Sequence, residues 1–451
     1  MSDIAFAKSI VERLRQRGFQ AYLVGGCVRD LLLKREPKDY DVATDATPQH
    51  VMEIFPDTYA VGAQFGVVLI PEPEGGSEPS GVGNISKSKT VEVATFRSDI
   101  GYSDGRHPDE VRFSRKPQED VARRDFTING MLLDPVSGDV LDFVGGRNDL
   151  EAGIIRTIGD PGRRFGEDKL RMLRGVRFAA RFEYEIEPGT FAAIQRLADQ
   201  IRVVSRERVR DELTRMLTEG HAHRAFQLLD EAGLLEYVLP EISAMKGVQQ
   251  PPDFHPEGDV FVHTLMLLDH LPEPCPITLA WGALLHDIGK PPTFRVAADR
   301  IRFDDHVEVG VKMAEEICGR LRFSNDDTEQ ILALIQNHMR FGHVMRMKDS
   351  TLKRFMRLSR FDEHLALHRA DCLASHGNLG AYEFVQQKGH EIPPETMRPS
   401  PLVTGDDLIA AGHVPGPRFR EILNAVEDAQ LEGRVHSRDQ ALEFVHREFP
   451  A

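Results

Sequence analysis

Apolar positions recur at two different spacings along the chain. Up to about residue 155, short β-type runs (AYLVGG from Ala21, FGVVLI from Phe65, TVEVATFR from Thr90, VLDFVG from Val140) alternate with helical stretches such as VRDLLLKR. From about residue 160 onward nearly everything reads as helix. The pattern predicts an α+β chain, with a small α/β head followed by an all-helical remainder. Pro-rich breaks near Gln250 to Pro256 and near Pro393 to Pro401 divide that remainder. The expected segments are a head (1–157), a helical neck (158–245), a His-rich middle (246–395) and a helical tail (396–451). PEPEGGSEPSGVGNISKSK, between two strands, reads as a surface insertion without an assigned role.

The N-terminal MSDIAFAKSIVERLRQRGF reads as a short amphipathic helix rather than a signal peptide, which would need an apolar core. No run approaches the roughly 18 apolar residues of a membrane span. Cys27, Cys275, Cys318 and Cys372 lie far apart with no CxxC pair, which argues against a disulfide framework and a Cys-type zinc site. A cytoplasmic protein without a membrane partner is expected. The net charge of −15 argues against a nucleic-acid partner, since phosphate contacts need Lys and Arg. The run PGRRFGEDKLRMLRGVRFAAR changes that picture, because it holds seven basic residues against two acidic ones.

In the head, AYLVGG ends a strand in Gly25 and Gly26 and leads into a helix, so backbone N–H groups can approach a phosphate. Alone, such a pair is as readily a tight turn. About a dozen residues later, Asp39-Tyr-Asp41 in KDYDVAT places two carboxylates on one face if the stretch is a short strand. Like charges on one face imply either solvent exposure or a cation between them. Glu92, opposite Val91, Val93 and Thr95 in its own run, is a candidate third carboxylate; a solvated strand face is the alternative.

The Gly-Gly pair, the DxD and Arg123-Arg124-Asp125 in RRDFTING together resemble the class II tRNA nucleotidyltransferase and bacterial poly(A) polymerase family. The resemblance continues through DPGRRFGEDKLRMLRGVRFAARF and VSRERVRDEL. It implies a polymerase-β-like nucleotidyltransferase head in which Asp39 and Asp41 bind two Mg²⁺ ions and an RNA 3′-hydroxyl attacks the α-phosphate of a nucleoside triphosphate, with Glu92 as the candidate third catalytic carboxylate. Arg29, Arg123 and Arg124 would neutralise the triphosphate, a task suited to guanidinium forks, and Asp125 and Asn129 belong to the same nucleotide-binding motif. On a neck helix, Asp168 and Arg171 would share a face, with Arg164 and Arg174 close by, while Leu173, Val176 and Ala180 point to a core. An ordinary helical salt bridge would look the same. The family's EDxxR motif is held to act as a protein template for CTP and ATP, matching the amine donor and ring-nitrogen acceptor of cytosine and adenine.

FRSDIGYSDGRHPDEV resembles a loop that CCA-adding and A-adding enzymes keep, and VGAQFGVVLI looks more like the tRNA enzymes than the poly(A) polymerases. A-adding and poly(A)-tailing activities remain alternatives.

The middle segment carries His263, then His286-Asp287, then His306, His338 and Asp371, each on or near an expected helix. A lone histidine among 18 is usually structural. This order of imidazoles and carboxylates instead suits a divalent transition metal. It resembles the HD phosphohydrolase superfamily, and HPEGDVFVHT and HDIGKPPTF resemble the form fused to some bacterial tRNA nucleotidyltransferases. The resemblance implies His263, His286, Asp287 and Asp371 as a core metal set, with His306 and His338 beside it, and hydrolysis of phosphate or 2′,3′-cyclic phosphate ends. The tail's PLVTGDDLIAAG resembles tails of the same family, a possible grip on tRNA. The expected partners are tRNA, CTP and ATP. The rival of another class is a metal phosphohydrolase with a non-catalytic RNA-binding head.

Overall fold

The computed structural model describes residues 3–60, 65–72, 90–102, 109–251, 258–298 and 300–450. Most of the surface insertion, the middle of FRSDIGYSDGRHPDEV and the starts of VGAQFGVVLI and HPEGDVFVHT lie outside the described residues. The chain forms two compact units, Met1–Pro240 and Glu241–Ala451.

In the first unit, α1 (Asp3–Gln16) buries Phe6, Ala7, Ile10, Val11 and Leu14, one face at helical spacing. It covers a six-stranded sheet of order β3-β4-β2-β1-β7-β8. The strands are β1 (Ala21–Val24), β2 (Asp41–Thr44), β3 (Val67–Pro71), β4 (Thr90–Thr95), β7 (Met131–Leu133) and β8 (Val140–Asp142). A separate hairpin pairs β5 (Arg97–Ile100) with β6 (Glu110–Phe113). Strands β2 and β4 run parallel with Asp41 opposite Glu92, so the sheet itself sets two acidic residues side by side. The helices that matter for the site are α2 (Gly26–Leu32), α3 (Pro48–Ile54), α4 (Pro117–Ala122), α5 (Gly146–Ala152), α6 (Pro161–Glu167) and α7 (Leu170–Phe182). Neck residues Phe178, Ala179 and Phe182 of α7 belong to the same core as Leu23, Val42 and Val93 of the sheet. Leu173, Val176 and Ala180 are buried, as their spacing predicts.

In the second unit, Val260–Leu268 and Ile277–Leu285 are apolar almost all round and bury nearly every residue, as central helices do. Trp281 is fully buried with its ring 5.1 Å from that of Phe323. Around them pack the helices His306–Leu321, Asn325–Asn337 and Phe361–Ala374. The expectation of an all-helical remainder is corrected by an antiparallel hairpin, Phe294–Val296 with Ile301–Phe303, rich in aromatic and β-branched residues. The tail folds about Val403, Leu408, Ile422, Val426, Ala441 and Val445.

Gly289, two residues after Asp287, is where two backbones meet: a Cβ there would stand 2.0 Å from the carbonyl oxygen of His306. Gly289→Ala is therefore expected to lower stability by about 1–3 kcal/mol, read as a lower midpoint of thermal unfolding. Gly319→Ala, on an exposed helix position where a Cβ meets nothing within 4 Å, is expected to be neutral or slightly stabilising. Equal midpoints for the two variants would refute the close-approach account.

Candidate functional site

Gly25 closes β1 with φ 79°, a conformation that glycine adopts without strain, and caps α2. A Cβ on Gly25 would lie 3.3 Å from a guanidinium nitrogen of Arg124 and 3.9 Å from Oδ2 of Asp41. The glycine thus leaves open a space with a cation on one side and a carboxylate on the other. Next to it, a Cβ on Gly26 would stand 3.4 Å from the Arg29 guanidinium.

The DxD is only partly strand: β2 begins at Asp41, and Asp39 lies in an exposed bend before it. Tyr40 between them is buried, so the two carboxyl residues still alternate with an inward side chain. Burial, reinforced by Glu92 and Asp39 against the opposing pull of Arg124, raises the Asp41 carboxyl to about 7. A carboxyl pushed that far is short of positive charge, which is the condition a divalent cation relieves. The donor set therefore fits a divalent cation, although Asp39, Asp41 and Glu92 do not form a three-ligand group at the 4.8 Å spacing found in the second unit.

The arginines are held by a residue that the sequence reading missed. Asp120 of α4, fully buried, takes Nε and Nη2 of Arg123 on Oδ1 and Nε and Nη2 of Arg124 on Oδ2. The two guanidinium groups hold the Asp120 carboxyl below its ordinary range in spite of burial. The signal was the spacing, Asp120 lying three and four residues before the two arginines. Asp125 accepts both Nε and Nη2 of Arg174 on Oδ2, at 2.9 and 2.7 Å, while its Oδ1 accepts Nδ2 of Asn129. Burial alone would raise Asp125, yet Arg174 and Asn129 keep it far below the carboxylate range. Arg29 is buried, bonded to Asp30 and to Oδ1 of Asn129 at 2.7 Å, with its guanidinium over the Phe182 ring.

Asp168 and Arg171 do not share one helix, contrary to the sequence expectation. Helix α6 ends at Glu167, Asp168 takes extended backbone angles (φ −147°, ψ 108°), and α7 starts at Leu170. The break lets Asp168 face Arg208 of the helix Arg206–Thr218, which donates to both its oxygens at 3.2 and 2.8 Å. Arg171 instead bonds Oε2 of Glu167 at 2.8 Å and the carbonyl of Arg123 at 3.1 Å. Glu167 also takes Arg164 at 2.6 Å, and Arg164 reaches the carbonyl oxygens of Ile158 and Ala122. Glu167 and Arg208 were the residues missed here, although both lie inside the motifs EDxxR and VSRERVRDEL.

In the second unit the six HD residues converge. His263, His286 and Asp371 form one group with ligand atoms within 4.8 Å of one another; Asp287, His306 and His338 form another. Asp287 faces both groups: its Oδ2 lies 3.1 Å from Nε2 of His286 and 4.0 Å from that of His263, and its Oδ1 lies 3.9 Å from Nε2 of both His306 and His338. The Nδ1 atoms of His286, His306 and His338 bond backbone carbonyls of Ala283, Phe303 and Ile335 at 2.7–2.9 Å. This fixes each ring with Nε2 turned inward: that of His306 and of His338 finds no hydrogen-bond partner, and that of His286 lies 3.1 Å from Oδ2 of Asp287. Inward-facing Nε2 atoms beside the carboxylates of Asp287 and Asp371 make a donor set that suits a divalent metal. Burial and the neighbouring His286 lower His338 to about 4, which keeps it neutral and able to ligate.

Asp120→Asn is expected to raise the KM for nucleotide roughly 10- to 100-fold, the equivalent of ~1.5–3 kcal/mol for hydrogen bonds to a charged group. Steady-state kinetics at saturating RNA, with thermal unfolding in parallel, check it. An unchanged KM would mean that the two arginines keep their places without Asp120.

Residues 21–156 match the Poly A polymerase head domain, 183–246 a probable RNA and SrmB-binding site of polymerase A, and 259–387 the HD domain. The nucleotidyltransferase head and the HD domain imply use of divalent metal. Among the described residues, no helix is long and apolar enough to cross a membrane. A CCA-adding enzyme of Geobacillus stearothermophilus is 41% identical over 232 residues, 51% of this chain and 54% of that enzyme. That alignment thus spans about half of the relative's length. A multifunctional CCA protein of Acinetobacter baumannii (strain AYE) is 36% identical over 349 residues, 75% of this chain and 78% of that protein. The crystal structure of the Bacillus stearothermophilus CCA-adding enzyme in complex with CTP superposes with a TM-score of 0.75 at 27% identity, covering 99% of this chain and 98% of that one. A Thermotoga maritima CCA-adding enzyme complexed with tRNA shares the fold at 18% identity and a TM-score of 0.59. With these domains in this order, and a relative matched over most of its length, the chain belongs to the family of CCA-adding enzymes and multifunctional CCA proteins.

Proposed function

We propose that this protein adds CCA to tRNA 3′ ends from CTP and ATP without a nucleic-acid template, in the cytoplasm. The observation that carries the reading is the space at Gly25, with Asp41 and Glu92 paired across β2 and β4 on one side and the Arg124 guanidinium on the other. Asp39 and Asp41 would hold Mg²⁺, which when bound activates the RNA 3′-hydroxyl and neutralises the departing pyrophosphate. Arg123 and Arg124, oriented by Asp120, bind the triphosphate. Arg29 and Asn129 brace one another behind it, and Asp125 fixes Arg174. Asp168 and Arg171 present a carboxylate acceptor and a guanidinium donor to the base. Both are already tethered, by Arg208 and Glu167, so selecting the base costs little further ordering.

In the HD domain, the two His/Asp groups would hold a divalent transition metal that supplies activated water for a phosphate ester. The substrate is a phosphate or 2′,3′-cyclic phosphate RNA end. Its burial-lowered basicity keeps His338 ready as a ligand rather than a proton donor near neutral pH.

Purified protein with Mg²⁺ and tRNA transcripts ending before CCA or after CC, given CTP and ATP singly and together, is expected to add CCA and stop. A added only to the CC end would instead mark an A-adding enzyme. A long A-ladder would mark a poly(A) polymerase, and no extension would leave a phosphohydrolase with an RNA-binding head.

A further inference from the structure

Asp287 stands between two environments. Its Oδ2 takes Nζ of Lys290 at 2.7 Å and meets Nε2 of His286 at 3.1 Å. Its Oδ1 has no hydrogen-bond partner and lies 3.9 Å from Nε2 of both His306 and His338. Lys290 is 7% exposed, although a lysine side chain is long enough to carry its ammonium to water. It is held inward: Nζ donates at 2.7 Å to Oε1 of Gln250, which is 2% exposed, and the Phe303 ring lies 5.5 Å away.

By charge alone this lysine is misplaced. An ammonium 2.7 Å from a ligand carboxylate cancels part of the attraction that carboxylate offers a metal ion, and in a buried setting the effect is not screened away. Geometry gives the residue a different task. The ammonium has two acceptors at 2.7 Å, Gln250 from the segment before the HD domain and Asp287 from the HD pair itself. It ties down Oδ2, so the carboxylate cannot rotate, and Oδ1 is the oxygen left facing His306 and His338.

We propose that Lys290, held by Gln250, is a positioning residue that fixes the Asp287 carboxylate so that a single oxygen serves the His306–His338 group. The proposal rests on the metal-site reading of the HD domain and is tested by binding rather than turnover. Supporting residues of this kind change metal affinity by about 10- to 100-fold when removed.

The sign of the change separates positioning from charge. Mn²⁺ is titrated calorimetrically into the full-length chain carrying Asp41→Asn, so that the heat comes from the second unit. Lys290→Gln is expected to weaken Mn²⁺ binding by about tenfold or more, even though it removes a nearby positive charge. Gln250→Leu is expected to weaken binding in the same direction, and Gln250→Glu, which keeps an acceptor for the ammonium, to restore it. Thermal unfolding midpoints close to the parent chain establish that each variant is folded. Unchanged or tighter binding in Lys290→Gln overturns the proposal while leaving the metal site standing. A parent chain that binds no Mn²⁺, Co²⁺ or Ni²⁺ overturns the metal reading and the proposal together.

Discussion

Buried carboxylates gripped by guanidinium groups decide what the first unit can do. Asp120 takes four N–H donors from two arginines, Asp125 takes two from Arg174, Glu167 takes Arg164 and Arg171, and Asp168 takes Arg208. Each pair removes a charge from water, a loss repaid only when the geometry is good and the remaining hydrogen bonds are filled. Breaking one of the well-buried pairs from one side, such as Asp120 with its two arginines, leaves a bare buried charge, which typically costs about 3–5 kcal/mol; Asp168 with Arg208 is only half-buried and contributes less. The same rigidity holds the arginines where a triphosphate would need them, with little left to order when a nucleotide arrives. Asp41 is the exception. It has neighbours of its own sign in Glu92 and Asp39 and only Arg124 against them, so its environment lacks a cation that the protein does not provide.

The second unit meets the opposite problem. Four histidines and two carboxylates converge on a space with Lys290 beside it, and three of the histidines, His286, His306 and His338, are locked by backbone carbonyls so that Nε2 faces inward. Backbone contacts enforce this arrangement from outside the cluster: Gly289 lets the chain after Asp287 lie against the carbonyl of His306, which no larger residue permits. The HD pair is therefore placed by main-chain packing as much as by its own side chains.

Much of this was legible in the sequence, for physical reasons. The β-type runs, the glycine pair and the neck's apolar stripe report local geometry, and the structure has them where the spacing put them. Motif order carried the rest of the site, since Asp41 and Glu92 are brought together by a parallel pairing that periodicity alone does not reveal. Two things were hidden. The helix break at Asp168 was not read from the sequence, although Gly166 stands two residues before it; the extended backbone there turns Asp168 to Arg208, forty residues away, a partner that local spacing does not reveal. The bridging place of Asp287 was hidden too: one of its oxygens faces its sequence neighbour His286, and the other faces His306 and His338, which come from later helices.

The central claim is that one chain carries two chemically separate sites, one relying on carboxylates and arginines and the other on histidines. The most direct test pairs Asp41→Asn with Asp287→Asn in the full-length protein and follows two reactions on tRNA: nucleotide addition to a free 3′ end, and hydrolysis of an end blocked by a phosphate or a 2′,3′-cyclic phosphate, read as phosphate release from the first and ring opening of the second. The account predicts that Asp41→Asn abolishes addition and leaves hydrolysis intact, and that Asp287→Asn does the reverse. Loss of both reactions in either folded variant would contradict it.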